Sequence, residues 1–181
     1  MRRIEIIWSP LDEDDEAVLV RELTEDEFHD LDGGRVAAAE KRLGVRIPTS
    51  LGDQMVIEDG GQIGGPYAEN IPFQDRAGWG NAVVDGLLPL ANWGVAADSE
   101  WFVNWVESSD GDEDGLALMI YIAHIAESFL CLDYRECGRE GDPRVVYVDT
   151  TFSPKQGELV CETVDALVKA LVECNRILPR D

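Results

Sequence analysis

Ser128 to Thr150 reads SFLCLDYRECGREGDPRVVYVDT, two apolar runs joined by a charged, glycine-bearing turn. Leu130, Leu132 and Tyr134 alternate with Cys131, Asp133 and Arg135, the two-residue period of a pleated strand. Val145, Val146, Tyr147 and Val148 follow as a run rich in β-branched side chains, which suit the same conformation. The stretch therefore predicts a β-hairpin, and its neighbours on either side decide what it packs against. Upstream, LALMIYIAHIAESF is a near-continuous apolar run compatible with a buried strand or a helix, and its content from Ile120 to Ile122 favours a strand. Downstream, CETVDALVKALVECNRIL places Val164, Leu167, Val168, Leu171 and Val172 on one face, an amphipathic helix of about four turns that should pack on the sheet.

Farther from the hairpin, VLVREL before residue 24 reads as a strand, and TEDEFHDL begins with a capping-box arrangement of Thr24 and Glu27. RVAAAEKRLG sets Val36, Ala39 and Leu43 on one helical face, with Gly44 placed for a left-handed cap. A further helix starts near Pro48, carries Leu51 and Met55 one turn apart, and stops at Gly60 and Gly61. The stretch from Gln62 to Trp105 is rich in Gly, Pro, Asn and Trp, so GLLPLANWG and SEWFVNWVES suggest short strands with long loops. Helices around an antiparallel hairpin sheet indicate the α+β class: N-terminal helices and a C-terminal amphipathic helix packed on the sheet. No repeat and no Ser/Pro-rich linker divides the chain, which predicts a single domain over 1–181 with an acidic N-terminal segment over about 1–23.

A chain of 181 residues can bury roughly 70% of its unfolded surface and needs no staple. The apolar run Ile4 to Trp8 is short and runs into LDEDDE, and no stretch approaches the ~20 apolar residues of a membrane span, so a soluble, cytoplasmic protein is expected. Against 15 basic side chains stand 37 acidic ones, a formal net charge of −22. Such a surface repels nucleic acid and anionic lipid and steers a basic protein onto itself. It also serves simply as a solvated, soluble exterior.

Few groups offer chemistry. Cys131, Cys137, Cys161 and Cys174 lie far apart without a C-x-x-C pair, and His29 and His124 stand at no metal-ligand spacing. Cys131, beside Asp133 on one strand face, is discouraged from becoming a thiolate. His29 sits among acids, and His124, inside an apolar run, reads as a packed core histidine. Asp133 and Asp149 could face one another across the hairpin, yet paired carboxylates are expected by number in so acidic a chain. DGGQIGGPY lacks the Lys-Ser/Thr of a phosphate loop. Asp110, Asp112, Asp114 and Gly115 match positions one, three, five and six of a calcium loop. Its twelfth position is Tyr121 rather than Glu, and WFVNWV and LALMIYI look strand-like, so DGDEDG reads better as an acidic hairpin tip. No catalytic residue, cofactor or metal site is assigned. Trp79, Trp93, Trp101 and Trp105 are either core packing or anchors of a binding surface. If a partner surface exists, it combines Asp110, Asp112, Glu113 and Asp114 with an exposed Trp101 or Trp105, the indole as anchor and the carboxylates for orientation and speed.

The succession AAAEKRLGVRIPTSLGDQMVIEDGGQ, GLLPLANW, FLCLDY, GDPRVVYVD and a terminal amphipathic helix resembles the SUKH superfamily, which includes a fungal cell-wall assembly regulator and many bacterial immunity proteins. In that family a helix ending Glu-x-x-Leu-Gly passes through an Ile-Pro or Leu-Pro step into a helix closed by Asn-Gly-Gly. Glu40, Leu43, Gly44, Ile47, Pro48, Gly60 and Gly61 occupy those places, and Gly141, Pro143, Val145, Tyr147 and Asp149 resemble the later Gly-x-Pro and Val-x-Tyr-x-Asp hairpin. The matching segments span roughly Thr24 to Leu178. Asp59 replaces the usual Asn, Gly52 replaces a larger residue in the second helix, and IPFQDRAGWGNAVVDG has no counterpart. The resemblance implies a non-enzymatic binding protein that neutralises a toxin, such as a nuclease or deaminase. A housekeeping regulatory or scaffold role on the same fold, or a calcium-binding or metal-dependent one through Asp110 to Gly115, is the alternative.

Overall fold

The computed structural model describes residues 4–8, 18–22, 34–57, 60–62, 86–107, 113–125, 127–151 and 157–169. The opening hairpin is present as β7 (Ser128–Asp133) and β8 (Arg144–Asp149), preceded by β6 (Met119–Ile125) and followed by β9 (Glu158–Cys161). With β5 (Gly94–Val95) they form an antiparallel sheet in the order β5-β6-β7-β8-β9, each strand beside its neighbour in sequence. Two smaller antiparallel sheets pair β1 (Ile4–Trp8) with β2 (Val18–Glu22) and β3 (Gly61–Gln62) with β4 (Gly86–Leu87). The strand expected in VLVREL is β2, and its partner β1 is the short apolar run Ile4 to Trp8.

The helices are α1 (Arg35–Leu43), α2 (Thr49–Ile57), α3 (Glu100–Glu107) and the single turn α4 (Glu113–Leu116), with residues 164–169 forming α5. Helices with an antiparallel sheet make the chain α+β. Gly44 ends α1 at φ 68°, its N–H donating to the Glu40 carbonyl at 2.8 Å, as the left-handed cap requires. Gly52 does not break α2: a Cβ there would meet Val36 Cγ1 at 3.4 Å, an ordinary van der Waals contact, so the space between α1 and α2 admits a methyl group. The expected helix at Thr24 and Glu27 lies outside the described residues, as do Leu171 and Val172. Within α5, Val164, Leu167 and Val168 are buried and Asp165, Ala166 and Lys169 are exposed.

Alternation along β7 does not divide core from solvent, because both faces of the sheet are covered. Leu130, Leu132, Tyr134 and Val145 join Ile120 and Ile122 under α1, α2, α5 and the buried Trp93. Phe129, Cys131, Val146 and Val148 join Met119 under Phe102 of α3, Leu116 of α4 and Ala96. A strand dry on both sides reads as a continuous apolar run, which is how SFLCL is written.

The stretch before the acidic run departs from its sequence reading. SEWFVNWVES, expected as short strands, is the helix α3. The Ser99 carbonyl accepts the Phe102 and Val103 amides, both at 3.1 Å, and Glu100 places a carboxylate at the positive end of the helix. Aromatic and β-branched content favours strand only weakly, and burial of Phe102 against Phe129 overrides it, the ring centroids lying 4.6 Å apart.

The motif residue Glu40 and several of its neighbours brace the fold. Glu40 Oε1 accepts the Ile47 amide at 2.8 Å, bridging α1 to the linker that follows it. Arg42 donates to the carbonyls of Trp93 and Leu90, each at 2.6 Å, fixing the GLLPLANWG segment over the core. The turn between β7 and β8 holds the same linker: Tyr134 Oη donates to the Arg46 carbonyl at 2.6 Å, and the Arg46 amide donates to the Arg139 carbonyl at 2.8 Å.

Candidate partner-binding surface

Trp101 and Trp105 both lie on α3, one turn apart, and Glu113 and Asp114 open α4. Asp110 and Asp112 lie in the stretch between these helices, outside the described residues; Trp79, earlier in the chain, is outside them too. The side chains of Trp105, Glu113 and Asp114 are likewise outside the description. Of the sequence-assigned group, then, the fold joins the helices at either end of the acidic run and sets both over the same face of the sheet through Phe102 and Leu116.

Trp101 is 52% exposed, whereas Trp93 is 1% exposed with Nε1 donating to the Leu88 carbonyl at 2.8 Å. The two readings of the tryptophans therefore separate by residue: Trp93 is core, and Trp101 presents its ring to solvent. Near it Asp98 and Glu100 are exposed. The electrostatics of this layer follow from a feature of the sequence that the composition hid: no lysine or arginine occurs between Arg76 and Arg135. All of α3, α4 and the intervening acidic run fall inside that interval, so nothing on these segments neutralises their carboxylates.

The acidic run is not a hairpin tip but the connection between two helices. Asp114 and Gly115, positions five and six of the calcium-loop pattern, lie within the helical turn of α4, and position twelve, Tyr121, is a β6 residue stacked on Phe102 with centroids 6.5 Å apart. Among the described residues no cluster of three or more His, Cys, Asp and Glu could hold a metal ion.

Other sequence candidates are redistributed by register. Asp133 pairs with Arg144 and Asp149 with Ser128, so the two carboxylates stand at opposite ends of the β7-β8 ladder instead of facing one another. Asp133, fully buried, accepts from Arg135 Nε at 2.8 Å through Oδ1 and from Arg135 Nη2 at 2.8 Å and Arg144 Nε at 3.0 Å through Oδ2. Burial alone would raise its pKa, but the hydrogen bonds from the Arg135 guanidinium and backbone amide, the Arg135 charge and the bond from Arg144 outweigh it and hold the carboxyl below its ordinary range. Arg144 is shared with Glu136 at 2.7 Å. These groups close the end of the hairpin.

Burial, reinforced by Asp133, pushes the Cys131 thiol far above its ordinary range despite the opposing charge of Arg135. The direction is the one expected beside Asp133, where a thiolate is discouraged. Cys137 is exposed, with its thiol also shifted upward, chiefly by partial burial. His124 is exposed, not packed in the core. Simple alternation would set it beside Ile120 and Ile122, but a bulge leaves Ile122 without a β7 partner, its carbonyl accepting instead from the Leu88 amide at 2.8 Å. One extra residue inverts the parity of all that follows, so His124 sits opposite Phe129, centroids 5.8 Å apart, on the α3 side. His29 lies outside the described residues.

No helix among the described residues is long and apolar enough to cross a membrane. Residues 30–170 match the SMI1 / KNR4 family (SUKH-1). No curated protein and no solved structure matches the chain.

Proposed function

The chain belongs to the SMI1 / KNR4 family (SUKH-1), and from that premise we propose that it is a cytoplasmic immunity protein that neutralises a basic protein toxin by covering it. The SUKH superfamily includes toxin immunity proteins, and binding rather than catalysis is the work assigned to it here. The observation that carries the reading is the α3-α4 layer: an exposed indole, Trp101, on a segment that holds acidic side chains and no cation. A toxin that acts on nucleic acid, a nuclease or a deaminase, needs a cationic groove for phosphate. Carboxylates presented on a helical layer compete for that groove, and an indole gives the complex its apolar anchor. In this reading 1–181 acts as one domain, with Asp110, Asp112, Glu113 and Asp114 setting encounter rate and Trp101, with Trp105, setting lifetime.

Affinity capture with the purified chain, from lysates of its source and of sibling strains at low and high salt, tests the proposal. One basic protein retained through both washes, and inhibited by the chain in a nuclease or deaminase assay, supports it. Retention that depends on added calcium, or inhibition of no retained protein, overturns it. With the captured partner in hand, replacing Asp112, Glu113 and Asp114 by Lys should slow association by tenfold or more at low salt and flatten its salt dependence.

A further inference from the structure

Two large apolar side chains are exposed among the described residues, Trp101 and Leu159 at 40%, and register places both on one side of the molecule. In β9 Leu159 stands opposite Val146, which belongs to the core under α3, while Cys161 stands opposite Val145, which belongs to the core under α1 and α2. Val160 is skipped by a second bulge and packs with the α1 side, so Leu159 is the β9 residue turned toward the α3 layer. Two strand spacings, about 10 Å, separate β9 from β7, whose Phe129 lies under Phe102 of α3. Charge divides along the same boundary. Lys41 and Arg42 end α1, and Lys169 is on α5. On the α3 side α3 and α4 carry no cation, and Arg135 and Arg144 at the hairpin end are bound to Asp133.

We propose that the partner docks on the α3 side of the sheet, with Trp101 and Leu159 as separate apolar anchors at the two margins of one anionic surface, and that the α1 side stays free in the complex. The occupant is a cationic protein surface bearing apolar side chains between its lysines and arginines: charge complementarity selects the side, and the two exposed apolar groups select the chemistry of the contact. This deepens the function proposed above and rests on it.

The probe is a synthetic helical peptide with leucine along one face and lysine along the other, titrated calorimetrically into the full chain and compared with an all-lysine peptide of equal charge. The wild-type chain should prefer the leucine-bearing peptide by about tenfold or more, and a Trp101→Ser, Leu159→Ser double variant should lose that preference while retaining all-lysine binding. Lys41→Ser, on α1, should leave both affinities within about twofold. Binding of neither peptide would sink the cationic-partner reading itself. A wild-type preference that survives the double variant, or that Lys41→Ser removes, would overturn the docking side and leave that reading standing. Equal wild-type binding of both peptides would remove the apolar anchors alone. Thermal denaturation of the double variant at wild-type temperature confirms that the loss is local.

Discussion

Replacing Asp133 by Asn keeps the shape of the side chain and removes the charge that two guanidinium groups share. Removing one member of a buried ion pair costs about 3–5 kcal/mol, because the other charge is left without compensation. The side chains of Arg135 and Arg144 remain 23% and 28% exposed, so both recover part of their hydration, and an amide oxygen can still accept one of their bonds. The expected loss is therefore about 2–3 kcal/mol, read as a lowered midpoint at unchanged slope in urea. For a chain of this size that corresponds to a fall of about 4–12 °C in Tm. The pH dependence has a definite sign. The folded pKa of Asp133 is depressed, so its contribution is complete above the unfolded value near 3.9 and is lost as pH falls through the lower folded value. The gap between wild type and variant should be constant above about pH 5 and narrow below about pH 4. Adding Arg144→Gln to Asp133→Asn should cost less than the two single changes together. A loss under about 1 kcal/mol, or a gap that grows on acidification, would refute the reasoning.

Three further outcomes follow from glycine geometry and thiol burial. Gly52→Ala should stabilise the chain by about 0.5–1 kcal/mol in the same urea assay, since the added methyl meets Val36 at contact distance and α2 gains a better helix former; destabilisation would mean that α1 and α2 cannot yield. Gly60→Ala should cost about 2 kcal/mol or more, because φ is +81° and a Cβ would lie 2.5 Å from the Pro89 nitrogen. A neutral result there would contradict that close approach. With iodoacetamide at pH 8, peptide mapping should find Cys137 alkylated well before Cys131, the two becoming equal in urea; comparable native rates would disprove the burial that raises the Cys131 thiol.

What the residues announced, and what they withheld, has a physical pattern. The β7-β8 hairpin, the cap at Gly44 and the face of α1 were legible because strand alternation, left-handed glycine and helical spacing are local signals. SEWFVNWVES misled because the burial of Phe102 against Phe129, a contact distant in sequence, decides its conformation. His124 misled for a subtler reason: a single bulged residue, Ile122, reverses which face the next side chains meet, and nothing in MIYIAHI marks it. Asp133 and Asp149 could not be placed without the pairing that puts Arg144 and Ser128 opposite them. The surface was half visible, since the acidic run and the tryptophans stood out. The exposure of Trp101 against the burial of Trp93, and the turning of Leu159 toward the α3 side, depend on tertiary packing. The long interval without a cation was readable but masked by averaging charge over the whole chain.

The grip of the hairpin on the α1-α2 linker bears on how the chain acquires its shape. Tyr134 and Arg139 bond to backbone carbonyls 88 and 95 positions earlier, at Arg46 and Gly44. Closing so long a loop must be met by entropy before these contacts return anything, so they belong to the late part of folding. On a ribosome adding 5–20 residues each second, the linker waits roughly 4–18 s for Tyr134 to be made. Through that interval Glu40, which lies only seven positions from Ile47, is the available brace for the linker. A local carboxylate-amide bond thus holds the bend early, and the distant phenol locks it once the sheet arrives.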